Sequence, residues 1–171
     1  MHADIVKSLA DRAEELFLSR EMYCAEAIVT ALNEGLGGGL EPGRARGLAT
    51  GFGEGLGKAG CVCGALAGSV LAASWFLSER LPSKKVREAS RSLHDAFKKQ
   101  AGSACCRVLI KPVKAEPAKH FAQCAGLTRM GAELAARAIL EHAPELARGH
   151  APARRGSRLA SLLRRLADRI G

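Results

Sequence analysis

Apolar residues return every three or four positions through almost all of the first 142 residues of this chain, a period that admits helices and little else. Ile5, Leu9, Ala13, Leu16 and Phe17 form one stripe, with Asp4 placed to cap it. Cys24, Ile28 and Leu32 form the next, which stops near Gly35. Glu41 and Pro42 open a short third helix carrying Ala45, Leu48 and Ala49, because proline's fixed φ suits the first helical position. The run 51–57 alternates glycine with other residues and is too glycine-rich to predict a stable element. A helix is predicted over about 62–77, and Ser83 is placed to cap another with Val86, Ser90, Leu93 and Phe97 on its face and Gly102 as its stop. A turn at 105–110 and a loop between Pro112 and Pro117 lead to a last body helix over about 121–142, with Leu127, Met130, Leu134 and Ala138 on one side. No segment alternates apolar and polar residues long enough for a strand. The expectation is an all-α fold, a bundle of about five to six helices followed by a basic amphipathic helix.

At 171 residues one domain suffices, and a chain of that length can bury a sizeable core. The divisions expected are a helical domain over 1–142, a linker over 143–156 rich in proline and glycine, and a helix over 157–171. That last segment sets Leu159, Leu162, Leu163, Leu166 and Ile170 against Arg154, Arg158, Arg165 and Arg169. The formal charge is +9, but seven arginines fall beyond residue 143, so the basic character belongs largely to the tail. The tail is expected to dock on the body or a partner subunit, with peripheral contact to an anionic membrane surface as the sharper alternative. With one tryptophan, one tyrosine and 4% aromatic residues there is no base-stacking platform, and no nucleic-acid partner is expected.

Asp4, Lys7, Asp11 and Arg12 interrupt any apolar core of an export signal, so the expected compartment is the reducing cytoplasm. The uncharged run 59–78 is long enough to span a bilayer and carries Gly64-x-x-x-Gly68, a helix-pairing spacing. Its content is mostly Ala, Gly, Ser and Cys, and it reads as a central helix covered by its neighbours.

Six cysteines in a reducing compartment point to ligands or redox groups rather than a disulfide scaffold. Cys24 lies on a helix face, Cys61 and Cys63 lie where the glycine-rich run becomes a helix, Cys105 and Cys106 follow a helix stop, and Cys124 lies near the start of the last body helix. A bundle interior can bring such thiols to one point. Free N–H groups and the helix dipole at the loop-to-helix junction favour thiolate, which is both nucleophile and metal ligand. Neighbouring residues rarely both reach one site, so Cys105-Cys106 is expected to supply one ligand and one spare. His120 lies four residues before Cys124, on the same helical face, and reads as a solvated histidine or a further ligand. The sequence Gly55-Leu56-Gly57-Lys58-Ala59-Gly60 matches a dinucleotide fingerprint, but neither a preceding strand nor a βαβ unit accompanies it.

The order of these contexts resembles a family of redox-active proteins named for its C, CGAxxG, C, C pattern. The residues that carry the resemblance are Tyr23-Cys24-Ala25-Glu26-Ala27, Gly51-Phe52-Gly53-Glu54-Gly55, Cys63-Gly64-Ala65-Leu66-Ala67-Gly68, Gly102-Ser103-Ala104-Cys105-Cys106-Arg107-Val108-Leu109, and Cys124. The family's four cysteines fall on Cys24, Cys63, Cys106 and Cys124, which leaves Cys61 and Cys105 as extras. The resemblance implies a helical redox domain of bacteria and archaea, often beside transporter genes, and similar to the front domain of split-Soret cytochromes. It leaves the chemistry open, and the tail beyond His142 departs from the family's usual end.

Three functions are carried forward. The first is a small redox protein holding an iron–sulfur cluster, [2Fe–2S] or [4Fe–4S], on Cys24, Cys63, Cys106 and Cys124, for electron transfer to a redox partner protein or for redox sensing. A homodimer sharing such a cluster is compatible with it. The second is a metal-free thiol–disulfide oxidoreductase in which a low-pKa Cys63 attacks and Cys24 or Cys106 resolves. The third is a zinc tetrathiolate that ties helices together.

Overall fold

The computed structural model describes residues 2–149, and the expected basic helix over 157–171 lies outside them. The described chain is all-α: α1 (Ala3–Leu18), α2 (Cys24–Leu36), α3 (Pro42–Thr50), α4 (Gly53–Leu56), α5 (Gly64–Leu77), α6 (Ser83–Ala101), α7 (Cys106–Ile110) and α8 (Pro117–His142). Six of these run nine residues or more, and α4 and α7 are single turns. The only extended pairing among the described residues is an isolated antiparallel bridge between Val62 and Cys105.

Local chemistry sets the ends. Pro42 opens α3, and the Glu41 carboxylate accepts from the Arg44 N–H at 3.1 Å. Gly37 and Gly102 end α2 and α6 with left-handed φ of 65° and 85°. Two expected caps are placed otherwise: Asp4 lies inside the first turn of α1, and Ser83 is the first residue of α6, behind Pro82. Helix α8 starts four residues earlier than periodicity suggested, because Pro117 suits a first turn. Residues Pro144–Gly149, the near end of the expected linker, form a 3₁₀ helix against α8, with Ala143 buried and Arg80 3.2 Å from Glu145.

Helices α1, α2, α5 and α8 pack on one another, α3 lies on α2, and α6 covers part of α5 and α8. No charge interrupts α5, and it fills the middle of the bundle with Gly64, Ala65, Gly68, Ser69, Ala72 and Ala73 buried. No helix among the described residues is long and apolar enough to cross a membrane. The pairing of Gly64 and Gly68 serves contact within the chain. A methyl group at Gly68 would fall 2.7 Å from the Ala25 Cα, and one at Gly64 would fall 2.8 Å from the Phe52 carbonyl oxygen. Gly131 of α8 reaches equally close to α5, where a methyl would lie 2.9 Å from the Ala65 carbonyl.

Gly68→Ala is therefore expected to force α2 and α5 apart and to cost about 1–3 kcal/mol, the usual penalty of overpacking. Urea unfolding followed by circular dichroism checks this, with the exposed Gly126→Ala expected to leave stability unchanged or raised.

Candidate thiol site

Four helices deliver four thiols to the end of the bundle where α5 begins. Cys24 is the first residue of α2, Cys63 precedes α5, Cys106 opens α7 and Cys124 lies in the third turn of α8. The contact of Gly68 with Ala25 holds the start of α2 beside the start of α5, and a methyl at Gly64 would stand 3.7 Å from the Cys24 Cβ. The second strand of the approach is the Val62–Cys105 bridge, in which Cys63 N–H donates to the Ala104 carbonyl at 2.8 Å and Cys106 N–H to the Cys61 carbonyl at 3.2 Å. It ties the loop before α5 to the segment before α7.

All six pairs among Cys24, Cys63, Cys106 and Cys124 lie within electrostatic reach of one another. The Cys24 and Cys124 side chains interact with each other: that contact, with burial, raises the Cys24 thiol well above its ordinary value and lowers Cys124. Cys63 is buried, and burial together with the negative charge of Cys24 pushes it up to about 11, although the Ala65 and Leu66 N–H groups at the helix start face its sulfur and oppose the shift. Burial and the neighbouring thiols push Cys106 up to about 11 as well. The expectation of a low-pKa Cys63 is thus corrected: loss of water outweighs the helix-start N–H groups, and the lowered thiol is Cys124. Without a cation among them the four sulfurs cannot all be thiolates.

The other sequence candidates divide. Cys105 is half-buried with its Sγ 3.1 Å from the Gly60 carbonyl, and it reaches Cys63 and Cys106 electrostatically. Cys61 is exposed, its Sγ 3.9 Å from the Ala59 carbonyl. His120 is half-exposed, and no side-chain interaction joins it to a cysteine among the described residues. No three His, Cys, Asp or Glu side chains among the described residues stand close enough to hold a single metal ion.

Two supports of the site were missed by sequence reasoning. Glu26 is buried at 2% exposure, accepts from the Tyr23 N–H at 2.7 Å and the Thr50 hydroxyl at 2.8 Å, and pairs with Arg46 at 3.3 Å. It locks the first turn of α2, and hence Cys24, onto α3. The signal was present as a glutamate three residues after the cap position. The second is the glycine-rich run, which is ordered. Residues Glu54, Gly55, Leu56, Gly57 and Lys58 all have φ between 54° and 75°, a left-handed turn with N–H groups of Leu56 and Gly57 donating four residues back. Gly55 must be glycine there: a methyl would fall 2.5 Å from the Cys106 Cβ. Arg107 lies over Gly60 and donates to the Ala59 carbonyl at 2.7 Å, closing the same turn.

The family described as "Putative redox-active protein (C_GCAxxG_C_C)" matches residues 22–138. The chain belongs to this family. The match takes in all four cysteines of the site, and with it the chain takes the family's redox role. No curated protein and no solved structure matches the chain. In this redox-active family member the run Cys63-Gly64-Ala65-Leu66-Ala67-Gly68 has a physical reading: Cys63 is delivered by the helix start, and Gly64 and Gly68, one turn apart, let α2 bring Cys24 alongside.

Two outcomes follow from the geometry. In iron-free reduced protein, iodoacetamide modification of Cys124 is expected to titrate below an ordinary thiol, and that of Cys63 and Cys106 near pH 11, read by peptide mass spectrometry across pH. Lys58→Gly frees a left-handed position at φ 71° and gives up a side chain that is 76% exposed with one long surface ion pair, and is expected to raise stability by about 0.5–1 kcal/mol in urea unfolding.

Proposed function

We propose that this chain is a small redox protein that holds an iron–sulfur cluster, [2Fe–2S] or [4Fe–4S], on Cys24, Cys63, Cys106 and Cys124, and serves electron transfer or redox sensing. The observation that carries it is the convergence of these four sulfurs, each from a different helix, with every pair in electrostatic reach. The donor set fits. It is all sulfur, and soft thiolates select iron–sulfur clusters and zinc over harder ions. A single tetrahedral zinc needs sulfurs about 3.8 Å apart, from its bond length of about 2.3 Å. No three donors stand that close among the described residues, whereas a cluster reaches ligands spread around its own body.

A cluster there would supply one-electron chemistry at a potential that the protein tunes. The chain's own contributions are specific. Ala65 and Leu66 aim N–H groups at the Cys63 sulfur, which stabilises its thiolate form. Burial of Cys63, with Cys24, Cys106 and Cys124 half-buried, limits water at the centre. Glu26 fixes the Cys24 end, and the left-handed turn presses on Cys106.

Anaerobic reconstitution with ferrous iron and sulfide tests this. The expected product is coloured, paramagnetic in one oxidation state, and contains iron and sulfide in equal amounts. Serine at position 24, 63, 106 or 124 is expected to abolish loading, and Cys61→Ser and Cys105→Ser to retain it. A protein that stays colourless and takes up no iron overturns the reading.

One observation favours the dithiol alternative, with a different pair from that expected. Cys24 and Cys124 already interact with each other, and Cys124 is the stronger nucleophile at neutral pH. Their oxidation by a disulfide substrate would form one S–S bond and pass two electrons and two protons to the substrate, leaving two thiols there. Stoichiometric Cys24–Cys124 disulfide in iron-free protein, with a reproducible midpoint potential, marks this chemistry.

A further inference from the structure

We propose that the surface around the thiol site is a docking face for a redox protein whose own surface is acidic around its cofactor. The inference rests on the redox reading above and adds the partner. Three exposed apolar side chains stand around the thiols: Tyr23 at 49% exposure, Leu56 at 45% and Val108 at 56%. Tyr23 adjoins Cys24, and its ring lies 3.2 Å from where a Gly53 methyl would be. Leu56 projects from the turn whose Gly55 abuts Cys106, and Val108 lies two residues beyond Cys106 in α7.

Leu56 carries the most weight. It is a non-glycine residue held at φ 65° between Glu54 at 54° and Lys58 at 71°. Left-handed backbone is unfavourable for such residues, and strain of this kind persists where function uses it. Here it turns Gly53 and Gly55 inward, sets Gly55 against Cys106, and leaves the next residue, Leu56, part-exposed to water. Close to half of that side chain is left uncovered by the described chain.

The charge around these residues sets the sign of the partner. Between 106 and 120 the exposed groups Arg107, Lys111, Lys114 and Lys119 are opposed only by Glu116, which pairs with Lys119 at 2.6 Å. Across the mouth, Glu54 is neutralised by Lys58 at 3.6 Å. Beside Tyr23 the exposed Arg20 and Glu21 offset one another, so the uncompensated charge is positive and belongs to Arg107, Lys111 and Lys114. A small apolar centre beside charge of one sign suits a brief encounter: modest buried area, fast exchange, and a rate set by electrostatic steering.

The test uses the full chain in its reduced form and inorganic one-electron oxidants as field probes. One electron passes from the protein to each hexacyanoferrate(III) or hexaammineruthenium(III) ion, with no bond made. At low ionic strength the anionic oxidant is expected to react faster, and its rate to fall as salt is added. The triple variant Lys111→Glu, Lys114→Glu, Lys119→Glu, which spares the Arg107 contact with the Ala59 carbonyl, is expected to slow it about tenfold at low salt, within the usual range of steering effects. The same charge change at Lys84, Lys85 and Arg87 of α6, at the opposite end of the roughly 21 Å α5 helix, is expected to change it less than twofold. A small acidic ferredoxin as reaction partner adds the apolar arm. Leu56→Gln with Val108→Gln is expected to weaken its reaction severalfold while leaving that with hexacyanoferrate unchanged.

Equal effects of the two triple variants, or none from either, overturn the docking face and leave the redox reading standing. Reduced protein that passes electrons to neither ion removes both. A dimer in sedimentation equilibrium that Leu56→Gln and Val108→Gln dissociate assigns the face to a second copy of the chain and overturns the acidic partner.

Discussion

The contact on which the rest depends is the one between α2 and α5 at Gly68 and Ala25. Two helix backbones approach there until no side-chain atom fits between them. That closeness has a chemical consequence, because Cys24 begins one helix and Cys63 precedes the other. A larger residue at 68 would separate the thiols as well as the helices. Gly131 repeats the device between α8 and α5, and so helps to set the position of Cys124. The alanine- and glycine-rich character of α5 is therefore a requirement of the site.

Around this frame, electrostatics decides what the thiols can be. Burial raises Cys63 and Cys106, and proximity separates Cys24 from Cys124, one up and one down. Such an array resists carrying four negative charges in the absence of a compensating cation. It either gains positive charge at its centre or stores its reducing equivalents as protonated thiols. Cluster and dithiol chemistry are the two ways out of the same electrostatic problem, which is why one site supports both readings.

Helix number, order and approximate ends were legible along the chain, because a bundle's buried faces impose their period on the residues. The four converging cysteines were legible through the family pattern more than through any single spacing. Cys105 and Cys106 could not be separated by their neighbours alone. Their division followed from the bridge at Val62, which turns Cys106 toward the other thiols while Cys105 meets the Gly60 carbonyl. The run 51–57 defeated propensity reasoning for a related reason. Glycine's freedom permits many conformations, and packing against Cys106 and Tyr23 selects a left-handed one.

By itself the sequence determined an all-α body and the set of sulfurs available, since both are written in local period and residue type. Only the tertiary structure decided how far each thiol is shifted from its ordinary acidity. Helix-start N–H groups favour the Cys63 thiolate, but burial depends on which elements close over it and raises that thiol, while contact with Cys24 lowers Cys124. The same holds for Glu26, whose carboxylate is stable in the interior because Tyr23, Arg46 and Thr50 reach it from both sides of a fold. Desolvation and long-range contacts have no local signature in the chain, and they set the surroundings of each thiol.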